Sequence, residues 1–140
     1  MSMEPTVQQH VAETAARPLM ASMRRGFARR CPACGRGRLY GRFLKIRDHC
    51  PDCGEALFHQ QADDAPPYFT IVIVGHLVVP LALFAEQLFA PPLWLYLSVL
   101  FPAIIGSVIW LLPRVKGALV GMQWAQRMHG FGAAPEPGLD

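Results

Sequence analysis

The residues best equipped for chemistry are four cysteines in two matching knuckles, Cys31-Pro32-Ala33-Cys34-Gly35 and Cys50-Pro51-Asp52-Cys53-Gly54, fifteen residues apart. Every cysteine of the chain lies in one of them. This is the paired Cys-x-x-Cys spacing of a zinc site. Each knuckle is a tight turn aiming two sulfurs at one point, and its glycine takes a backbone conformation other residues resist. Together, Cys31, Cys34, Cys50 and Cys53 supply the four thiolates of a closed tetrahedral site, the form structural zinc takes. Rubredoxin-like iron uses the same paired knuckles, so iron is the minor alternative. A disulfide pair is the rival staple, but it needs an oxidising compartment. Met1 to Arg30 has no apolar signal-peptide core, so metal is favoured.

His76 is the second residue whose chemistry stands out, because it lies deep in an otherwise apolar run. An ionisable group at such depth is a functional candidate by default: a metal or haem ligand, or a proton relay. The competing reading is a neutral histidine bonded across to Ser107, which an equal count from the intervening turn places opposite. Asp63 and Asp64 precede the same run. They read as helix-capping groups, or alternatively as a carboxylate pair binding a cation or a partner's arginine. His49 and His59 flank the second knuckle and read as bystanders, with a Cys₃His site the lesser alternative. No catalytic set emerges: the chain has no Gly-rich phosphate loop and no H-E-x-x-H, and four cysteines leave zinc no open position. Thiol redox chemistry would need a βαβ setting that the pattern lacks. A non-enzymatic role is expected.

Charge and hydropathy say how these groups are carried. Of the 140 residues 52% are hydrophobic, and they concentrate after Pro67. That leaves a polar head too small to build its own core without a staple. The net charge of +3 conceals a strong asymmetry. Arg24, Arg25, Arg29, Arg30, Arg36, Arg38, Arg42, Lys45 and Arg47 form a block without an acidic residue; from Asp48 to Pro113 there is no Lys or Arg; then Arg114, Lys116 and Arg127 follow. Such a pattern marks a segment that leaves the cytoplasm and returns, with both termini cytoplasmic and the inner membrane as location. The basic block is explained by lipid phosphate and topology, and no nucleic-acid partner is expected.

Four parts follow. Residues 1–23 read as a flexible N-terminal tail, although Pro18 can open a short helix with Leu19, Met20, Met23 and Phe27 on one face. That face would lie in lipid headgroups or pack on the ribbon. Residues 24–61 form a cytoplasmic zinc ribbon, with a β-hairpin turning near Gly41 between the knuckles. Residues 62–113 form a transmembrane helical hairpin, with spans at about 65–85 and 93–112, prolines 80 and 102 inside them, and Gly75 and Gly106 available for close approach. Glu86 falls near the outer turn and is expected to be solvated. Residues 114–140 read as an interfacial amphipathic helix and a free tail.

The motifs together resemble a known family. Arg30-Cys-Pro-Ala-Cys-Gly-Arg-Gly-Arg-Leu-Tyr40, Cys50-Pro-Asp-Cys-Gly54, Ala62-Asp-Asp-Ala-Pro-Pro-Tyr-Phe69, Val74-Gly-His76 and Leu112-Pro-Arg-Val-Lys-Gly117 are similar to small bacterial membrane proteins of domain-of-unknown-function family 983. The resemblance spans about residues 24–130. Members often have Gly-Pro where this chain has Ala65-Pro66. The family carries no established activity. Its genes often neighbour those for cytochrome c oxidase subunits and assembly factors, which implies respiratory-complex biogenesis and such subunits or factors as partners.

The reading is therefore a zinc ribbon on a two-span hairpin, embedded in a lipid bilayer and serving assembly or interaction. The runner-up handles metal or haem through His76 and the Asp63/Asp64 mouth, and a third, weaker reading is a thiol redox protein.

Overall fold

A computed structural model describes residues 17–59 and 65–131. Of the tail expected over residues 1–23, residues 1–16 lie outside these described residues, as do 132–140 and the Asp63/Asp64 pair, while Leu19 onward is helical.

Pro18, extended at φ −70°, opens helix α1 (Leu19–Phe27). The Ser22 hydroxyl donates back to the Pro18 carbonyl at 2.7 Å. Arg24 and Arg25 fill the last turn, where positive charge complements the helix dipole. The buried face of α1 is its small one, Ser22 and Gly26. Met20 and Phe27, on the expected apolar face, stay exposed.

The ribbon follows. Strands β1 (Tyr40–Arg42) and β2 (Lys45–Ile46) pair antiparallel, Tyr40 opposite Ile46 and Arg42 opposite Lys45. The turn passes through Leu44 at φ +61° rather than at Gly41. Two isolated antiparallel bridges, Arg30 with Arg38 and His49 with Ala56, close the sheet around the knuckles.

Helix α2 (Ala65–Phe89) carries Pro66 and Pro67 in its first turn, where a missing N–H costs nothing. The Thr70 hydroxyl bonds the Pro66 carbonyl at 2.7 Å. Pro80 sits inside α2 without ending it. Three residues, Ala90 at φ +41° and then Pro91 and Pro92, reverse the chain into α3 (Leu93–Ala125). A π-turn at Tyr96–Leu100 precedes Pro102, whose ring and missing N–H disturb the regular ladder. Across the outer end the Tyr96 hydroxyl donates to Glu86 Oε2 at 2.7 Å, so Glu86 is paired across the hairpin rather than simply solvated. Both helices are long and apolar enough to span a membrane, and almost none of either apolar window is buried (11% and 0%). Core helices of a soluble protein would be mostly covered.

The second span does not stop at Pro113. Residues 114–125, expected as a separate interfacial helix, are the continuation of α3. Arg114 bonds the Trp110 carbonyl at 3.0 Å, with its guanidinium 3.8 Å over the Trp110 ring, and the Tyr40 hydroxyl donates to the Pro113 carbonyl at 2.6 Å. These contacts brace the turn that proline weakens. Beyond it, α3 is buried at Val115, Gly117, Val120, Gly121 and Trp124, because α1 and the ribbon pack there. A Cβ on Gly26 would collide with the Gly117 carbonyl, one on Gly117 with the Gly26 carbonyl, and one on Gly121 with the Ser22 carbonyl. The two backbones touch because these positions lack side chains. Gly75 and Gly106, expected to serve close approach within the hairpin, face open space.

Candidate metal centre

The centre is built from the knuckles upward. Cys31 and Cys50 each accept the N–H of their knuckle glycine, Gly35 at 2.8 Å and Gly54 at 3.0 Å, and both glycines are left-handed at φ +70° and +74°. Cys31 N–H donates to the Gly37 carbonyl at 2.8 Å, and Cys50 N–H to that of Glu55 at 3.0 Å. The four sulfurs lie within 4.8 Å of one another, with Cys31 to Cys53 and Cys34 to Cys50 each at 3.7 Å. Zinc–sulfur bonds of about 2.3 Å in a tetrahedron require sulfurs about 3.8 Å apart. The donor set therefore fits a divalent ion held by four thiolates. The short approaches run between knuckles, and no cysteine is disulfide-bonded.

Local electrostatics divide the thiols. Backbone N–H groups of Gly37 and Arg36 aim at Cys34 and hold its pKa down to about 6. Burial pushes the Cys31 thiol up, and Cys53 likewise. One site thus holds a thiol already poised as thiolate and others that ionise only when a cation compensates their burial.

Arg25 decides between the two readings of α1 that helix spacing left open. Rather than turning toward lipid, it donates to the Pro32 and Ala33 carbonyls, both at 3.1 Å, and clamps the first knuckle to α1. Gly37 was missed: a Cβ there would collide with Cys50 Sγ. Two arginines in a row and one glycine among several carry no sequence signal for either role. On the far side the Trp124 indole donates to Glu55 Oε1 at 3.0 Å, and Lys116 to the Leu44 carbonyl at 2.8 Å, so α3 holds both the second knuckle and the hairpin turn. Leu39, Ile46, Leu57, Val120, Trp124 and Phe131 complete a core shared by ribbon and helix.

His49 and His59 join an aromatic group with Phe58 and Phe131, ring centroids 4.1 to 5.7 Å apart, while the metal-competent cluster consists of the four cysteines. His76 lies elsewhere, on the exposed side of α2. Its Nδ1 is 2.7 Å from the Val72 carbonyl of its own helix, and Ser107 bonds the Ala103 carbonyl at 2.7 Å. The bond between His76 and Ser107 offered by the competing reading is not formed; each side chain bonds a carbonyl one turn back on its own helix.

The family model described as "Protein of unknown function (DUF983)" matches residues 40–124. The chain belongs to this family. The matched stretch takes in β1, β2, the second knuckle, α2 and α3 as far as Trp124, and it begins after the first knuckle. No curated protein and no solved structure matches the chain.

Proposed function

We propose that this DUF983 protein is a non-enzymatic membrane protein whose zinc ribbon serves as an assembly or interaction module at the inner membrane. The observation that carries it is the four-cysteine cluster, with Cys31 and Cys50 buried in the core that Val120 and Trp124 of α3 share, and Cys53 at the surface. A metal there has all its positions filled by protein and adds to the stability of a small head whose core α3 completes. Its exposed remainder is left for contact. The link to cytochrome c oxidase biogenesis rests on the family resemblance alone. The test is affinity purification from native membranes with metal and haem quantified in the same sample. About one zinc per chain is expected, with a reproducible protein partner and loss of the metal in Cys50→Ser. Stoichiometric iron removes the zinc assignment, and a stable Cys31–Cys34 bond in cells favours thiol redox chemistry instead.

A second reading, metal or haem handling through His76, has one observation in its favour. The ring is exposed on α2 and, among the described residues, is bonded through Nδ1 to the Val72 carbonyl, which leaves Nε2 available in an apolar span where polar groups are costly. His76→Asn and His76→Gln can keep a hydrogen bond but not imidazole ligation. Respiratory-oxidase activity per unit of inserted protein is expected to stay unchanged in both variants if the interaction module is right. A fall in that ratio, with normal protein abundance, favours the ligand reading.

A further inference from the structure

A cleft of about 520 Å³ opens on the ribbon between the end of α1 and β1, lined by Ala28, Arg29, Arg30, Arg36, Arg38 and Tyr40. Four of the six are arginines, all exposed, and none of the lining residues is acidic. Two of them face each other: Arg30 and Arg38 are directly opposed in an antiparallel bridge. Like charges in that register repel at close range and cost stability. Arg29 is held at φ +62°, a conformation that side-chain-bearing residues seldom adopt, while its carbonyl accepts the Leu39 N–H at 3.1 Å. The fold thus gathers charges that oppose one another when nothing anionic lies between them. Planar guanidinium forks suit the oxygens of a phosphate group.

The location selects the source of that phosphate. Tyr40 forms one wall of the cleft, and its hydroxyl donates to the Pro113 carbonyl at 2.6 Å. Pro113 lies one turn beyond Trp110, where Arg114 stacks at 3.8 Å as a boundary pair. The cleft therefore stands one side-chain length from the end of the second span. Beside it, Phe27 directly precedes the lining residue Ala28 and is exposed, as is Met20 on the same helix. A charged cleft bordered by exposed apolar side chains at a span's end matches an amphiphile with an anionic head.

We propose that this cleft binds the phosphate of an anionic membrane lipid, with Arg30 and Arg38 gripping it and Arg29 and Arg36 at the rim. The site adjoins the thiolate cluster, since Arg36 N–H donates to Cys34 Sγ at 3.4 Å, but uses the guanidiniums rather than the sulfurs, and it fixes the height of the ribbon at the membrane surface. It rests on α2 and α3 being spans.

The test places the full-length protein in nanodiscs of equal phosphatidylglycerol and phosphatidylcholine and counts the lipids retained by native mass spectrometry after delipidation. Wild type is expected to retain phosphatidylglycerol preferentially. R30Q/R38Q is expected to lose that preference by about thirty-fold, the combined effect of two arginines at an anionic surface. R42Q/R47Q removes the same charge from the hairpin outside the cleft and is expected to behave as wild type. Thiol protection from alkylation checks that each variant keeps its ribbon; if R30Q/R38Q loses it, R36Q/R38Q takes its place. Equal losses in the two double variants, or no preference in wild type, overturn the proposal. Retention of inorganic phosphate or a short RNA by detergent-purified protein, without lipid preference, overturns the lipid assignment. Failure to insert into the discs overturns the spanning reading itself and is seen before any lipid is counted.

Discussion

Cys34 shows how one residue is tuned by its backbone. The N–H groups of Gly37 and Arg36 stabilise its thiolate, so its pKa sits at about 6 against an ordinary 9.0. Since the folded value is depressed, the stabilisation is complete above the ordinary thiol pKa and is lost as pH falls through about 6. In metal-stripped, still folded protein, Cys34 alkylation is expected to reach half its maximal rate near pH 6. Cys31 and Cys53, raised by burial, are expected to react only in the alkaline range. Residue-resolved mass spectrometry of alkylated protein reads this directly. Four thiols titrating together near the ordinary value would show that the Gly37 and Arg36 amides do not act on the sulfur. The same residue scale explains why His76 and Ser107 remain apart: in an apolar medium a side chain satisfied by its own i−4 carbonyl gains little from crossing to a neighbour.

At the scale of elements, the crossing of α1 over α3 decides whether the head is attached rigidly. It depends on Gly26, Gly117 and Gly121, where backbone meets backbone. Gly117→Leu or Gly121→Leu forces the helices apart and is expected to cost about 3 kcal/mol, the upper range for overpacking. The measurements are a lowered unfolding midpoint and faster tryptic cleavage after Arg24 and Arg25, now released with α1. Gly75→Leu and Gly106→Leu, where the added side chain meets open space, are expected to leave both readouts unchanged. Cleavage rates that stay the same in Gly117→Leu and Gly121→Leu would mean that α1 is held by the knuckle clamp at Arg25 alone.

For the whole molecule, contacts constrain topology more firmly than charge. Tyr40 bonds Pro113, Glu55 bonds Trp124 and Lys116 bonds Leu44, so the ribbon and the far end of α3 occupy the same side of any bilayer that the hairpin spans. Which side is then a question for the arginines and lysines, none of which lies between Asp48 and Pro113. By the positive-inside rule that side is expected to be the cytoplasm. Reporter fusions at Met1 and Asp140 are expected to give cytoplasmic signals at both ends. A periplasmic signal from both would invert the protein while leaving its contacts intact; signals on opposite sides would contradict the shared core.

The knuckles, the two apolar helices and the basic asymmetry were legible in the chain because each is local. A Cys-x-x-Cys-Gly turn closes on itself, and an apolar run of bilayer length needs no partner to declare itself. What α1 buries was not legible, because helical spacing pointed to Leu19 and Phe27 while the packed face is Ser22 and Gly26. Nor was the fate of residues 114–125. Pro113 reads as a stop in sequence, and only Tyr40, seventy-three positions away, together with Arg114 over Trp110, lets the helix run on. Glycines 117 and 121 form the contact surface, since a missing side chain is costly in an isolated helix and useful when another backbone arrives. Local chemistry was written in the order of residues; the joining of ribbon, α1 and α3 into one head was settled by long-range packing, which no single stretch of the chain contains.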